Sequence, residues 1–337
     1  MSDLQIGLIS LGVILILVLV AFNWWQDRRV RQRMQEHFPE ADEDPLMGSM
    51  PPVGRREPGI GASAGAEAAT DDFAEADPVC EAVIDVAFSH PVSGADLIQA
   101  VRNIDKAGEK PVRVLVEHEG GHTLKLREGS AYLSVQLAVL LANRSGALTD
   151  IEWSHLWTIA QDLAERFEGS VEGPDQALVL QRAQELDEQC ASLDAQVGLA
   201  VRLENARPVA GVTQIVKEAG FLSYGNQLAW MSESGIPRFT LLFDGIPAGD
   251  FHSAGVDRLD LLLDLPRSQA DEHAFSRMAC VGRDLASRLG AVLVDDQGQP
   301  VQESADQGLD EKLYELYQNL EQAGYPAADE RTVRLFS

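Results

Sequence analysis

The chain has 337 residues, with 53 acidic and 27 basic side chains, a formal net charge of −26 and 45 % hydrophobic residues. That apolar fraction excludes wholesale disorder, and the length suits about two domains of ordinary size. So acidic a chain is excluded as a nonspecific nucleic-acid binder, which needs clustered Lys and Arg.

Residues 1–3 carry one charge, Asp3, and the stretch 6–22 (IGLISLGVILILVLVAF) carries none. Trp24 and Trp25 follow, then Arg28, Arg29, Arg31 and Arg33. At about 1.5 Å per residue, roughly 20 residues from Leu4 onward cross a ~30 Å hydrocarbon core, and paired Trp suit its interface. Residues 4–25 therefore read as a single retained transmembrane helix, because a cleaved leader would carry basic residues ahead of its apolar stretch. The positive-inside rule places the arginines and all that follows in the cytoplasm, with the N-terminus periplasmic in a bacterial inner membrane.

Residues 26–78 combine the basic stretch with a run rich in Pro, Gly, Ala and acidic residues, which predicts a flexible, self-repelling linker. Gly59-Ile60-Gly61 within it has neither a strand before it nor a helix after it, so it is no phosphate loop. Beyond Pro78, periodicity predicts strands at 82–88, 112–117 and 132–141 and helices at 94–104, 152–167 and 175–192. The order then recurs: a strand at 199–203, a helix at 212–218, strands at 227–231, 239–243 and 259–265, a helix at 274–289, a strand at 291–294 and a closing helix at 309–321.

Local sequence repeats with it. Pro91-Val92-Ser93-Gly94 matches Pro208-Val209-Ala210-Gly211, 117 residues later (208 − 91), and Asp162-Leu163-Ala164 matches Asp284-Leu285-Ala286, 122 residues later (284 − 162). The fold class is thus α+β: an anchor, a linker and two tandem domains of antiparallel sheet plus helices, at 79–192 and 195–325, with 326–337 as a tail.

The chemistry-bearing motifs are few. His118-Glu119-Gly120-Gly121-His122 satisfies HExxH, but a zinc peptidase needs both His one turn apart on a helix. Here the motif follows a strand and contains Gly-Gly, which predicts a hairpin tip. Asp295-Asp296-Gln297-Gly298 follows an apolar strand and reads as a turn rather than a cation site. Cys80, Cys190 and Cys280 are scattered, which fits neither a disulfide framework nor a CxxC site and points to a reducing compartment. No catalytic residue, metal ligand or cofactor site is expected, and no small-molecule substrate.

An anchored non-enzyme needs a partner surface, and strand alternation locates one. In the strand at 199–203 the core takes positions 199, 201 and 203, leaving Ala200 and Arg202 outside. In 259–264 the core takes 259, 261 and 263, so Asp260, Leu262 and Asp264 face out. On 239–243 the parity is ambiguous, with Leu242 as the expected outward companion.

The C-terminal half resembles the ZipA cell-division family over residues 196–320. The resemblance rests on Lys217-Glu218-Ala219-Gly220-Phe221, on Phe239-Thr240-Leu241 with Pro247 beyond, and above all on Leu289-Gly290-Ala291-Val292-Leu293-Val294-Asp295-Asp296-Gln297. The anchor, basic stretch and linker are also similar. The resemblance implies an antiparallel sheet, backed by helices, whose shallow groove holds the C-terminal tail of FtsZ as a partly extended, partly helical peptide. By alignment the groove positions are Ala200, Arg202, Ala229, Leu242, Asp244, Asp260 and Leu262, with Arg202 as the counter-charge for one of the two carboxylates. Residues 79–192 would be an extra, diverged copy.

The expected function is an inner-membrane protein that tethers FtsZ filaments and stabilises the Z ring during septum formation. An alternative keeps this fold but recruits a different divisome or envelope partner. The zinc-peptidase reading is the third.

Overall fold

The computed structural model describes residues 75–118, 121–124 and 126–337. The expected anchor, the Gly59 segment and most of the linker lie outside the described residues. Among the described residues no helix is long and apolar enough to cross a membrane.

In the first half, β1 (Glu81–Ser93) is followed by α1 (Gly94–Val101), β2 (Lys110–His118), β3 (Ala131–Leu140), α2 (Asp150–Arg166), β4 (Gly169–Glu172) and α3 (Gln176–Leu193). The sheet is antiparallel in the order β2-β3-β1-β4. Alternation drives it: Ala82, Ile84 and Val86 pair with Val139, Leu137 and Val135, and all six are buried in one core with Trp153, Leu156 and Ala160 of α2. β1 runs well past the predicted 82–88 because a bulge between Ala87 and Val92 carries Ser89, His90 and Pro91 without ending the pairing.

The second half holds β5 (Gln196–Pro208), α4 (Val209–Glu218), β6 (Leu222–Tyr224), β7 (Gln227–Met231), β8 (Pro237–Phe243), β9 (Gly255–Asp264), α5 (Ala274–Leu289), β10 (Val292–Val294) and α6 (Asp306–Gln322). Its sheet order is β6-β7-β8-β9-β5-β10. Four strands repeat the first half in order and pairing: β8-β9-β5-β10 stands where β2-β3-β1-β4 stands, with α5 between β9 and β10 as α2 lies between β3 and β4.

Helix ends follow local chemistry. Thr149 accepts the Glu152 N–H while Glu152 accepts the Thr149 N–H, a reciprocal cap that starts α2. Asp175 caps α3, and α5 stops at Gly290, whose φ of 57° the left-handed C-cap requires. Asp295 accepts N–H bonds from Gln297 and Gln299, with Gly298 at φ 78°, so this acidic pair builds the predicted turn.

Residues 326–337, expected as a tail, carry a further helix, α7 (Glu330–Leu335), and Leu335 and Phe336 are buried in the core of the first half. Arg331 Nε lies 2.5 Å from Asp77 Oδ2, and Arg334 pairs with Glu81. The halves also meet at Arg144. Its guanidinium grips Asp194 (2.7 and 3.0 Å) and Asp264 (2.5 and 2.8 Å), and these carboxylates raise its pKa further despite burial.

Candidate peptide-binding face

Strand register turns the second sheet into two chemically distinct faces. Leu199, Val201, Leu241, Phe243, Leu259, Leu261 and Leu263 share the buried core with the helices. The alternate residues form rows on the opposite face. Leu262 stands between Gly198 and Thr240, and Thr240 is followed by Ala229 and Leu222. In the next row Asp260 stands between Ala200 and Leu242. In the third, Arg202 stands between Arg258 and Val292.

This register brings six of the seven expected residues onto one face. Ala200, Leu242, Asp260 and Leu262 are half-buried, and Arg202 is exposed. Ala229 holds its expected place in the row but has no exposed surface, so it is not available to a partner. A single alanine in a short strand gives no parity from which that burial is legible.

Asp244 sits at the edge of this face rather than on a strand. It lies past the end of β8 with φ 50°, in a turn, where its carboxylate accepts the Arg258 N–H at 2.9 Å. Burial and the neighbouring Asp257 carboxyl push its pKa above the usual Asp range.

The charge balance of the face also differs from expectation. Arg258 Nε lies 2.8 Å from Asp260 Oδ1, so Arg258, two residues along the same strand face, neutralises that carboxylate, rather than Arg202. With Asp260 ion-paired and Asp244 turned into backbone hydrogen bonds, the face is less repulsive to an acidic peptide than its composition implies.

Three exposed apolar residues were missed. Leu222 (58 % exposed) extends the Leu262 row, Tyr224 (48 %) lies opposite Gln227, and Val292 (51 %) closes the Arg202 row. Leu222 and Tyr224 alternate around Ser223, a signal too short for three residues to register as a strand.

The motifs behind the resemblance have structural work behind this face. Trp230 stacks on Phe239 with centroids 6.0 Å apart and planes 7° apart, and Phe221 meets both edge-on. Gly220 has φ 107°, and a Cβ there would lie 2.9 Å from the Trp230 ring. Leu289 to Gln297 run from the end of α5 through its left-handed cap and β10 to the Asp295 turn.

In the first half, the positions that correspond to Gly198 and Leu262 are covered. The offset that aligns Pro91 with Pro208 aligns Glu81 with Gly198, and the one that aligns Asp162 with Asp284 aligns Leu140 with Leu262. Register agrees, since Glu81 pairs with Leu140 as Gly198 pairs with Leu262. Glu81 is 2 % exposed beneath Arg113 and Arg334, and Leu140 is fully buried.

Around the HExxH motif, His118 pairs with Gly121 and Glu117 with His122, so the two histidines lie on antiparallel strands rather than on one helix face. Among the described residues no group of His, Cys, Asp or Glu is placed to hold a metal ion.

Residues 242–312 match the family model of the ZipA C-terminal FtsZ-binding domain, a non-enzymatic family. The matched segment includes Leu242, Asp244, Asp260 and Leu262, whereas Ala200, Arg202 and Ala229 precede it. No curated protein matches the chain.

Proposed function

We propose that this chain is a membrane-anchored cell-division protein that holds FtsZ filaments at the cytoplasmic face of the bacterial inner membrane. The FtsZ C-terminal tail would lie across the outer face of the second sheet, over Leu262, Leu242 and Ala200, with Leu222 and Val292 at the two margins. The match of residues 242–312 to an FtsZ-binding domain carries the reading. The half-buried apolar row on the face turned away from the helices supports it, since such residues have no core to serve.

In this reading residues 4–25 span the membrane with a periplasmic N-terminus, and residues 26–78 tether the domains. The tether raises the local concentration of tail-binding faces along a filament, so weak individual contacts suffice. The first half is a diverged copy of the second in which the place of Leu262 is covered. Neither half acts as an enzyme, and no cofactor is needed.

The test is a fluorescence-anisotropy titration of the full-length chain against a labelled FtsZ tail peptide from the same organism. Saturable binding that Leu262→Glu removes is expected, because seating the peptide would bury an unpaired charge. Equal binding by the two proteins would contradict the reading.

A further inference from the structure

We propose that a pocket at the seam of the two halves anchors a carboxylate of the bound peptide, so that the first half and the C-terminal segment belong to the binding site; this rests on the tail-binding reading above. A cavity of about 370 Å³ opens at the end of the outer face, with Thr240 and Leu262 among its lining residues. It therefore continues the apolar row. Most of the remaining wall belongs to the second half, and it is completed by Arg144 from the first half and by Ala328 and Val333 from the C-terminal segment.

Three of its lining residues are arginines, Arg144, Arg238 and Arg267, against one carboxylate, Asp264. The ion pairs sort their roles. Arg144 is held by Asp194 and Asp264, a trio with a net charge of −1. Asp271 is shared by Arg238 and Arg277, a trio with a net charge of +1.

Arg267 is exposed, stands in the turn Leu265–Arg267 directly after β9, and has no ion pair among the described residues. The pocket thus carries a surplus of positive charge on a chain whose net charge is −26. Charge complementarity selects the occupant: a peptide carboxylate, bound by Arg267, next to an apolar residue seated on Leu262. Arg144, fixed by two bidentate pairs, acts as a rigid wall that positions the peptide end rather than as a free donor.

A carboxylate of this kind has two sources, an Asp or Glu side chain and the free C-terminus of the peptide. The full-length chain would be titrated with three labelled tail peptides: native, with acidic residues changed to their amides, and with an amidated C-terminus. Native peptide binding to Arg267→Glu is expected to weaken by about tenfold or more, and to lose part of its salt dependence. One of the two neutralised peptides should show a similar loss on the unchanged protein, and which one does identifies the source.

If Arg267→Glu and both neutralised peptides bind like the native pair while Leu262→Glu abolishes binding, the pocket is not an anchor, although the face remains the tail site. Absence of native binding, or indifference to Leu262→Glu, would instead remove the tail-binding reading itself and the anchor with it.

Discussion

At Glu81 a side chain with no exposed surface keeps its charge between Arg113 and Arg334. Burial pushes its pKa up, but hydrogen bonds from Arg113, from the Asp77 N–H and from Arg334 outweigh that and hold it below the usual Glu range. A carboxyl depressed in this way contributes stability above its unfolded pKa. That contribution is lost as pH falls through the folded value, so acid below the ordinary Glu range is expected to loosen the first half. Glu81→Gln leaves two arginines without their shared anion and is expected to cost about 3–5 kcal/mol, read by urea unfolding at neutral pH. A loss under about 1 kcal/mol would contradict this account. At the same scale, alternation places Leu262 outward, whereas the all-apolar end of 239–243 leaves parity ambiguous and only the pairing of Leu242 with Asp260 settles it. Asp244 lies just past the predicted end of the strand, where Asp244-Gly245 is the local turn signal and Asp244 takes φ 50°.

Element by element, the long periodic segments were legible and the short edges were not. The predicted helices at 152–167, 175–192 and 274–289 match α2, α3 and α5 within two residues at each end, because an apolar stripe and a capping residue specify each one. β4 and β6 were not anticipated: each is an edge strand with no buried residue, so no alternation betrays it. α7 is too short for helical periodicity, and its burial depends on contacts far away in sequence. Two substitutions test the logic of the elements. Thr149→Ala removes half of the reciprocal cap on α2 and is expected to cost about 1 kcal/mol in thermal or urea unfolding. Gly220→Ala forces a Cβ against Trp230 at a positive φ and is expected to cost about 1–3 kcal/mol, with loss of the near-ultraviolet signal of the Trp230–Phe239 stack.

On the scale of the whole molecule, the sequence suggests two domains in tandem and leaves their packing open, and in the structure residues 75–337 fall within one compact unit. Leu320 and Tyr325, at and just beyond the end of α6, lie in the core of the first half together with Leu335 and Phe336. Arg144 binds carboxylates on the connection between the halves and at the end of β9. Sequence patterns could not reveal this, since periodicity assigns a residue to a face but not to a partner domain. Deleting residues 326–337 is therefore expected to expose Glu81 and the apolar core of the first half. The expected readout is a lower melting temperature with increased binding of a hydrophobic dye. If the shortened chain melts like the intact one, the C-terminal segment is an appendage after all.

Whether the outer face of the second sheet receives the FtsZ tail is decided by an anisotropy titration of the full-length chain with the labelled tail peptide. Saturable binding at micromolar protein is expected, lost in Leu262→Glu while circular dichroism shows the fold unchanged. Failure of the folded, unsubstituted chain to bind the peptide at high micromolar concentration, or binding that survives Leu262→Glu, would contradict that reading.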